Sequence, residues 1–238
     1  MSVINRRAAG FAVLAFFVTA LVACGDSEAD QRAAFIKFLQ EINHRAGVHF
    51  LNPNAADVKA FGDYGSQYSI ITTFNSDMGK VSKEFNAHVT AVVGGQTSPT
   101  LEQLAANRDK IASLKIEIGK VQDEIDKHVA AVSAQRAALK QPDDLKAVYD
   151  VTFEKLVLKP TQATKNHIAV LGDGLTSSLQ LADYINTHAD KLTVKGSQVL
   201  AKDAKTLDEI KALMAAQNAA SQRLRDAGRE MARVLDGS

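Results

Sequence analysis

Cys24 is the only thiol in the chain, so its chemistry is confined to what one sulfur can do. It cannot close an intrachain disulfide, and six histidines without a second cysteine exclude a finger-type structural zinc site. Three acid–histidine pairs have the spacing of one helix face: Glu41 with His44 three residues on, and Glu84 with His88 and Glu124 with His128 four residues on. Di-metal helical bundles project carboxylates and histidines inward, but they need two Glu-x-x-His motifs and a Glu from each of two further helices. Only Glu41 and His44 keep that spacing. Surface pairing is therefore expected of these pairs and no metal ligand is assigned, while His88 and His128 are expected inside, as core histidines of neighbouring antiparallel helices. There is no Walker loop, no Gly-x-Ser-x-Gly elbow and no His-Glu-x-x-His motif. Gly172-Asp173-Gly174 is too short for a dinucleotide loop and has no strand before it, so it reads as a weak point in a helix. No catalytic residue and no cofactor is expected, and the chain is read as non-enzymatic.

The sulfur's surroundings say more. Arg6 and Arg7 precede an uncharged run, Ala8 to Ala23, and the chain turns polar at Gly25-Asp26-Ser27-Glu28. This is the layout of a signal peptide, and the run is shorter than the roughly 20 residues a membrane-crossing helix needs. Leu21-Val22-Ala23-Cys24 resembles the lipobox of bacterial lipoproteins. That resemblance implies cleavage before Cys24, attachment of diacylglycerol to its thiol and acylation of the new amino terminus, with palmitate-type chains. Two or more chains hold a protein stably to a bilayer where one does so only marginally. The expected order is thus a signal peptide at 1–23, a lipidated tether at 24–29 and a single helical domain at 30–238. Gly25 follows the cysteine, not the Asp that commonly retains such proteins in the inner membrane. The expected address is the cell envelope, facing the periplasm, with the outer membrane favoured over the inner.

The body must be built from helices. Lys and Arg total 28 against 27 Asp and Glu, 46% of residues are hydrophobic and Trp is absent, which describes a globular chain with no basic excess. No nucleic-acid partner is expected. Phe35, Ile36, Leu39 and Ile42 form an apolar stripe that Gly47 stops, and Asn54 with Asp57 marks a helix start leading to Val58 and Phe61. Ile71, Phe74, Met78, Val81, Phe85 and Val92 recur at heptad-like spacing up to Gly94-Gly95, with His88 in the series. Ser98-Pro99 reads as the next cap. Leu104, Ile111, Ile118, Ile125, Val132 and Leu139 then fall seven apart, which over Pro99 to Lys140 would make a helix roughly 60 Å long.

Pro142 breaks this helix, Asp143-Asp144 reads as a new cap, Pro160 divides again, and Ile168 to Ile185 forms another long stripe. Leu192-Thr193-Val194, Lys195-Gly196 and Gln198-Val199-Leu200 depart from the helical period and read as a small hairpin or an extended loop. Thr206-Leu207-Asp208-Glu209 reads as a capping box opening the last helix. The expected fold is all-α: an elongated antiparallel bundle of about six helices, with long coiled-coil-like members that bury the heptad against their own chain.

Three stretches carry a resemblance. Cys24 onward with Asp30-Gln31-Arg32-Ala33-Ala34-Phe35-Ile36-Lys37-Phe38-Leu39-Gln40, Ala138-Leu139-Lys140-Gln141-Pro142-Asp143-Asp144-Leu145-Lys146, and more weakly Val194 to Val199, are similar to the YiaF-like lipoproteins, a bacterial family of unknown function. The resemblance implies an envelope lipoprotein and brings no catalytic residues. The leading expectation is a non-enzymatic, membrane-anchored protein that presents a helical surface to an envelope partner, with the bilayer held through acylated Cys24. Carriage of a lipid or small apolar molecule between helices, beside Phe74, Met78 and Phe85, is the alternative. A metal-binding envelope protein or enzyme comes third. Cys24→Ser should abolish incorporation of labelled palmitate and leave unprocessed precursor; continued labelling would refute the assignment.

Overall fold

The computed structural model describes residues 27–93 and 99–238, so Leu21, Val22, Ala23, Cys24 and the stretch Gly94 to Ser98 lie outside the described residues. The described residues are all-α apart from one small hairpin. Its helices are α1 (Glu28–His44), α2 (Ala55–Phe61), α3 (Gly65–Val93), α4 (Leu101–Ala106), α5 (Arg108–Ala137), α6 (Asp143–Phe153), α7 (Lys159–Thr187) and α8 (Ala204–Asp236), with strands β1 (Leu192–Lys195) and β2 (Gln198–Ala201) between α7 and α8. A 3-10 turn, Gly62–Tyr64, joins α2 to α3, and a π turn, Glu154–Leu158, joins α6 to α7. These pieces merge into about six rods, because α4 runs into α5 and α6 into α7.

Local chemistry explains most boundaries. Ser27 and Asp30 form a reciprocal capping box at α1, as do Asn54 and Asp57 at α2, so each start satisfies orphan backbone donors. The third box is displaced from its expected place. Thr100, not Ser98, caps α4 and exchanges bonds with Gln103. Asp203 likewise caps α8, taking the Thr206 N–H at 2.8 Å, so Thr206 sits inside the first turn rather than capping it. At α6 the capping position is Pro142, with no side-chain cap bond, and Asp143 and Asp144 lie in the first turn, favourably placed against the helix dipole.

One break appears that was not expected, and one that was expected is missing. The long heptad rod pauses at Asn107, a single turn residue between α4 and α5 whose backbone bonds bridge the break: its N–H donates to Gln103 and its carbonyl accepts from Ile111. Pro160 does not divide its helix. The preceding π turn widens the spiral, with the Lys159 N–H donating to the Glu154 carbonyl five residues back, and this accommodates the missing proline donor without turning the chain. The Gly172–Gly174 stretch also stays helical within α7.

Three core clusters lie along the bundle. One joins Phe35, Leu39 and Ile42 of α1 to Phe61, Tyr68, Tyr149 and Phe153. A middle cluster holds Val81, Ile118, Val121, Ile125 and Ile168. The far one gathers Leu104, Ile111, Leu181, Ile185, Leu192 and Ile210. The heptad of α5 crosses all three, covered by α3 and α7, so the seam is buried against its own chain. Val58 departs from its expected stripe and lies 54% exposed.

The last helix returns along α7 to meet the end of α1. The Val48 N–H donates to the Leu235 carbonyl at 2.8 Å. Gly47 and Gly237 both take left-handed φ, +67° and +76°, and a Cβ at Gly47 would stand 2.4 Å from the Leu235 oxygen. Gly47→Ala should therefore destabilise the protein by roughly 2–3 kcal/mol in thermal melts. Gly79→Ala, in the exposed interior of α3 with no heavy atom within 4 Å of its added methyl, should stabilise it by about 0.5–1 kcal/mol.

Candidate functional site

Ser27, the first described residue, caps α1 three positions after Cys24, a stretch of backbone that spans at most about 11 Å. Around this start the Tyr64 hydroxyl donates to Glu28, and Arg32 bridges Glu28 at 3.5 Å and Asp144 at 3.4 Å. Glu28 in turn raises the Tyr64 pKa through that bond, and the Ser27 hydroxyl and N–H hold the Asp30 carboxyl below its usual value. Gln67 and Gln141 join α3 to the α5–α6 turn at 2.6 Å. Asp63 and Asp143 are also exposed at this end, where the bases are Arg32, Lys140 and Lys146.

The acid–histidine pairs do not form sites. Glu41 takes Arg45 at 2.7 Å, while His44 bonds the Gln40 carbonyl through Nδ1, also at 2.7 Å. His88 is exposed and His128 half-buried, which corrects the expectation of core histidines. Both lie between α3 and α5: His88 lowers the pKa of Glu117 behind the larger effect of Lys120, and His128 does the same for Asp77 behind Lys80. Among the described residues no three His, Cys, Asp or Glu side chains come together in a metal-binding arrangement.

Phe74 is buried, and Met78 and Phe85 are half-buried against the first and middle clusters, so this trio serves as core. The clefts lie elsewhere. One, about 460 Å³, separates α1 from the Leu51–Phe61 segment. Phe38, Phe61 and Leu51 form its apolar floor, and Lys37, Glu41, Asn52 and Asp57 its rim. Tyr68 stands edge-on to Phe38 with ring centres 5.1 Å apart, and burial pushes its hydroxyl pKa up to about 12. Two smaller clefts, each near 300 Å³, flank the π turn and share Glu154 and Lys159.

Two inward-facing side chains escaped periodicity. Lys155, on the π turn, donates its Nζ to the carbonyls of Ile42 at 3.0 Å, Asn43 at 3.1 Å and Arg45, capping the end of α1 from another helix. His167 of α7 packs where α8 offers Gly228, its Cε1 only 3.5 Å from where a Cβ would stand. Its buried Nδ1 has no hydrogen-bond partner, and neither does Gln217 Oε1 on α8. Three lysine positions away from any helix, Lys191, Lys195 and Lys202, flank and line the hairpin.

Comparison with known proteins places this architecture. A family model described as "Protein of unknown function (DUF3053)" matches residues 12–232. The chain is 29% identical over 178 residues to the uncharacterized protein YiaF of Escherichia coli K12, covering 74% of each chain, and matches YiaF of Escherichia coli O157:H7 and of Shigella flexneri to the same extent. No solved structure matches. Among the described residues no helix is long and apolar enough to cross a membrane.

Burial lowers the His167 pKa in the folded state, so below its ordinary value near 6.5 the unfolded chain takes up the proton more readily. Stability contributed by neutral His167 is therefore fully present above its ordinary pKa near 6.5 and falls as pH drops below it. Melting temperature measured between pH 7.5 and about 5 should show this slope in the native protein and a flatter one in His167→Leu.

Proposed function

Because this chain belongs to the DUF3053 family of proteins of unknown function, we propose its role from its own residues: a non-enzymatic lipoprotein of the bacterial envelope, anchored through acylated Cys24 and presenting its helical body to an envelope protein. The body faces the periplasm, on the outer membrane in preference to the inner.

The observation that carries this reading is where the fold starts. Ser27 already caps α1, so a lipid on Cys24 leaves almost no slack, and the end that carries Glu28, Asp30, Asp143 and Asp144 lies next to the bilayer. Like charge on these acids opposes anionic headgroups and keeps the rods from lying flat. What remains for recognition is the long exposed flank of α3, α5 and α8. The role asked of these residues is positional: hold the bundle upright, keep it close to the membrane and expose its flank.

Crosslinking in intact cells should recover one envelope protein reproducibly with the wild type and lose it with Cys24→Ser. A body that captures no protein, yet turns over a substrate after purification, would reject the proposal.

A further inference from the structure

The β1–β2 hairpin pairs Leu192 with Ala201, Thr193 with Leu200, Val194 with Val199 and Lys195 with Gln198. Side chains alternate across such a ladder. Leu192, Val194, Val199 and Ala201 face the far core cluster, which leaves Thr193, Lys195, Gln198 and Leu200 exposed on the other side. One more bond, from the Lys202 N–H to the Lys191 carbonyl at 3.0 Å, extends the pairing and sets two exposed lysines opposite each other. Leu200 is 72% exposed, more than any other large apolar side chain among the described residues.

This face works against folding. Like charges placed directly across a hairpin repel, and an exposed leucine forgoes its burial. Among the described residues none of the ion pairs involves Lys191, Lys195 or Lys202. Asp190, which precedes Lys191, is exposed, while Glu102 accepts the Gly196 N–H at 3.2 Å and Asp203, beside Lys191, caps α8. The hairpin is nevertheless held in place, since the Glu102 N–H also donates to the Gly196 carbonyl at 3.2 Å and the inner face is packed.

We infer that this outer face docks on an anionic lipid surface, with Lys191, Lys195 and Lys202 on phosphates and Leu200 entering between headgroups. A two-stranded hairpin is convex and offers no cleft. A lone protruding leucine ringed by lysines suits a deformable apolar medium, whereas a protein partner would have to supply a matched pocket. The face lies at the opposite end of the bundle from Ser27. Arg32 of α1 meets Asp144 at the start of α6, and the helical run from there to Thr187 measures roughly 65 Å at 1.5 Å per residue. The proposed docking does not depend on acylation of Cys24.

The test uses full-length protein seated by its N-terminal segment in neutral phosphatidylcholine nanodiscs, which hides the leader and any acyl chains. These discs are offered vesicles of phosphatidylcholine alone or with one third phosphatidylglycerol, and capture is read by flotation. Capture by the anionic vesicles should exceed that by neutral ones about tenfold or more and disappear in high salt. Joint replacement Lys191→Glu, Lys195→Glu and Lys202→Glu should remove it at an unchanged melting temperature. Leu200→Ser should weaken capture severalfold while leaving its salt dependence. Equal capture by both vesicle types, or no effect of the lysine replacements, overturns the inference. Retention on immobilised polyglutamate without vesicle capture also overturns it, in favour of an acidic protein.

Discussion

Ile111, Ile118, Ile125 and Val132 recur at every seventh residue of α5, and each is more than nine-tenths buried. Each contributes on the order of 1.5–3 kcal/mol relative to exposure, and they fall in three different core clusters. This helix reaches all three cores, with α7 also linking the middle and far ones through Ile168 and Leu181. The flanking helices α3 and α7 are long because the seam is long, and α8 needs only α7 to lie against. Leu104, on the far side of Asn107, carries the same seam into α4, which is why a broken helix still acts as one rod.

The periodic features of this arrangement were legible in the amino-acid order. A heptad held over six repeats has few structural readings, and the Asn54–Asp57 capping box, the Pro142 break and the 192–200 hairpin are local motifs that stand where they were expected. The misplaced boundaries share a physical cause, competition between adjacent signals. Thr206 and Asp203 each could cap α8, and Asp203, three residues earlier, takes the Thr206 N–H itself. Pro160 looked like a stop because a proline removes a donor, but one widened turn in front of it absorbs that loss.

The candidate sites divide in the same way. Cys24 is readable only as a sequence pattern, through its leader and its solitude. Lys155 and His167 were invisible, since their roles depend on which helix lies opposite: the end of α1 for one, Gly228 for the other. The inward placement expected of His88 and His128 failed: beyond Val81 the half-buried positions of α3 are Phe85 and Val89, with His88 exposed, and His128 lies half-buried three residues after Ile125. The lysine face of the hairpin required the strand register, which fixes parity, and parity cannot be had from composition. The resulting molecule is nearly neutral in sum, and three lysines that join no ion pair among the described residues gather at the hairpin.

The junction of Gly47 with Leu235 and Gly237 gives α8 a fixed length. Its first turn is pinned by Asp203 beside the hairpin and its last by backbone contacts with no room for a methyl group. Between these pins lie 33 residues whose outward positions are free to vary, but whose number is constrained. One residue more or fewer in regular helix would rotate everything beyond it by about 100° and misalign the closing glycine, unless a widened turn such as that before Pro160 took up the difference.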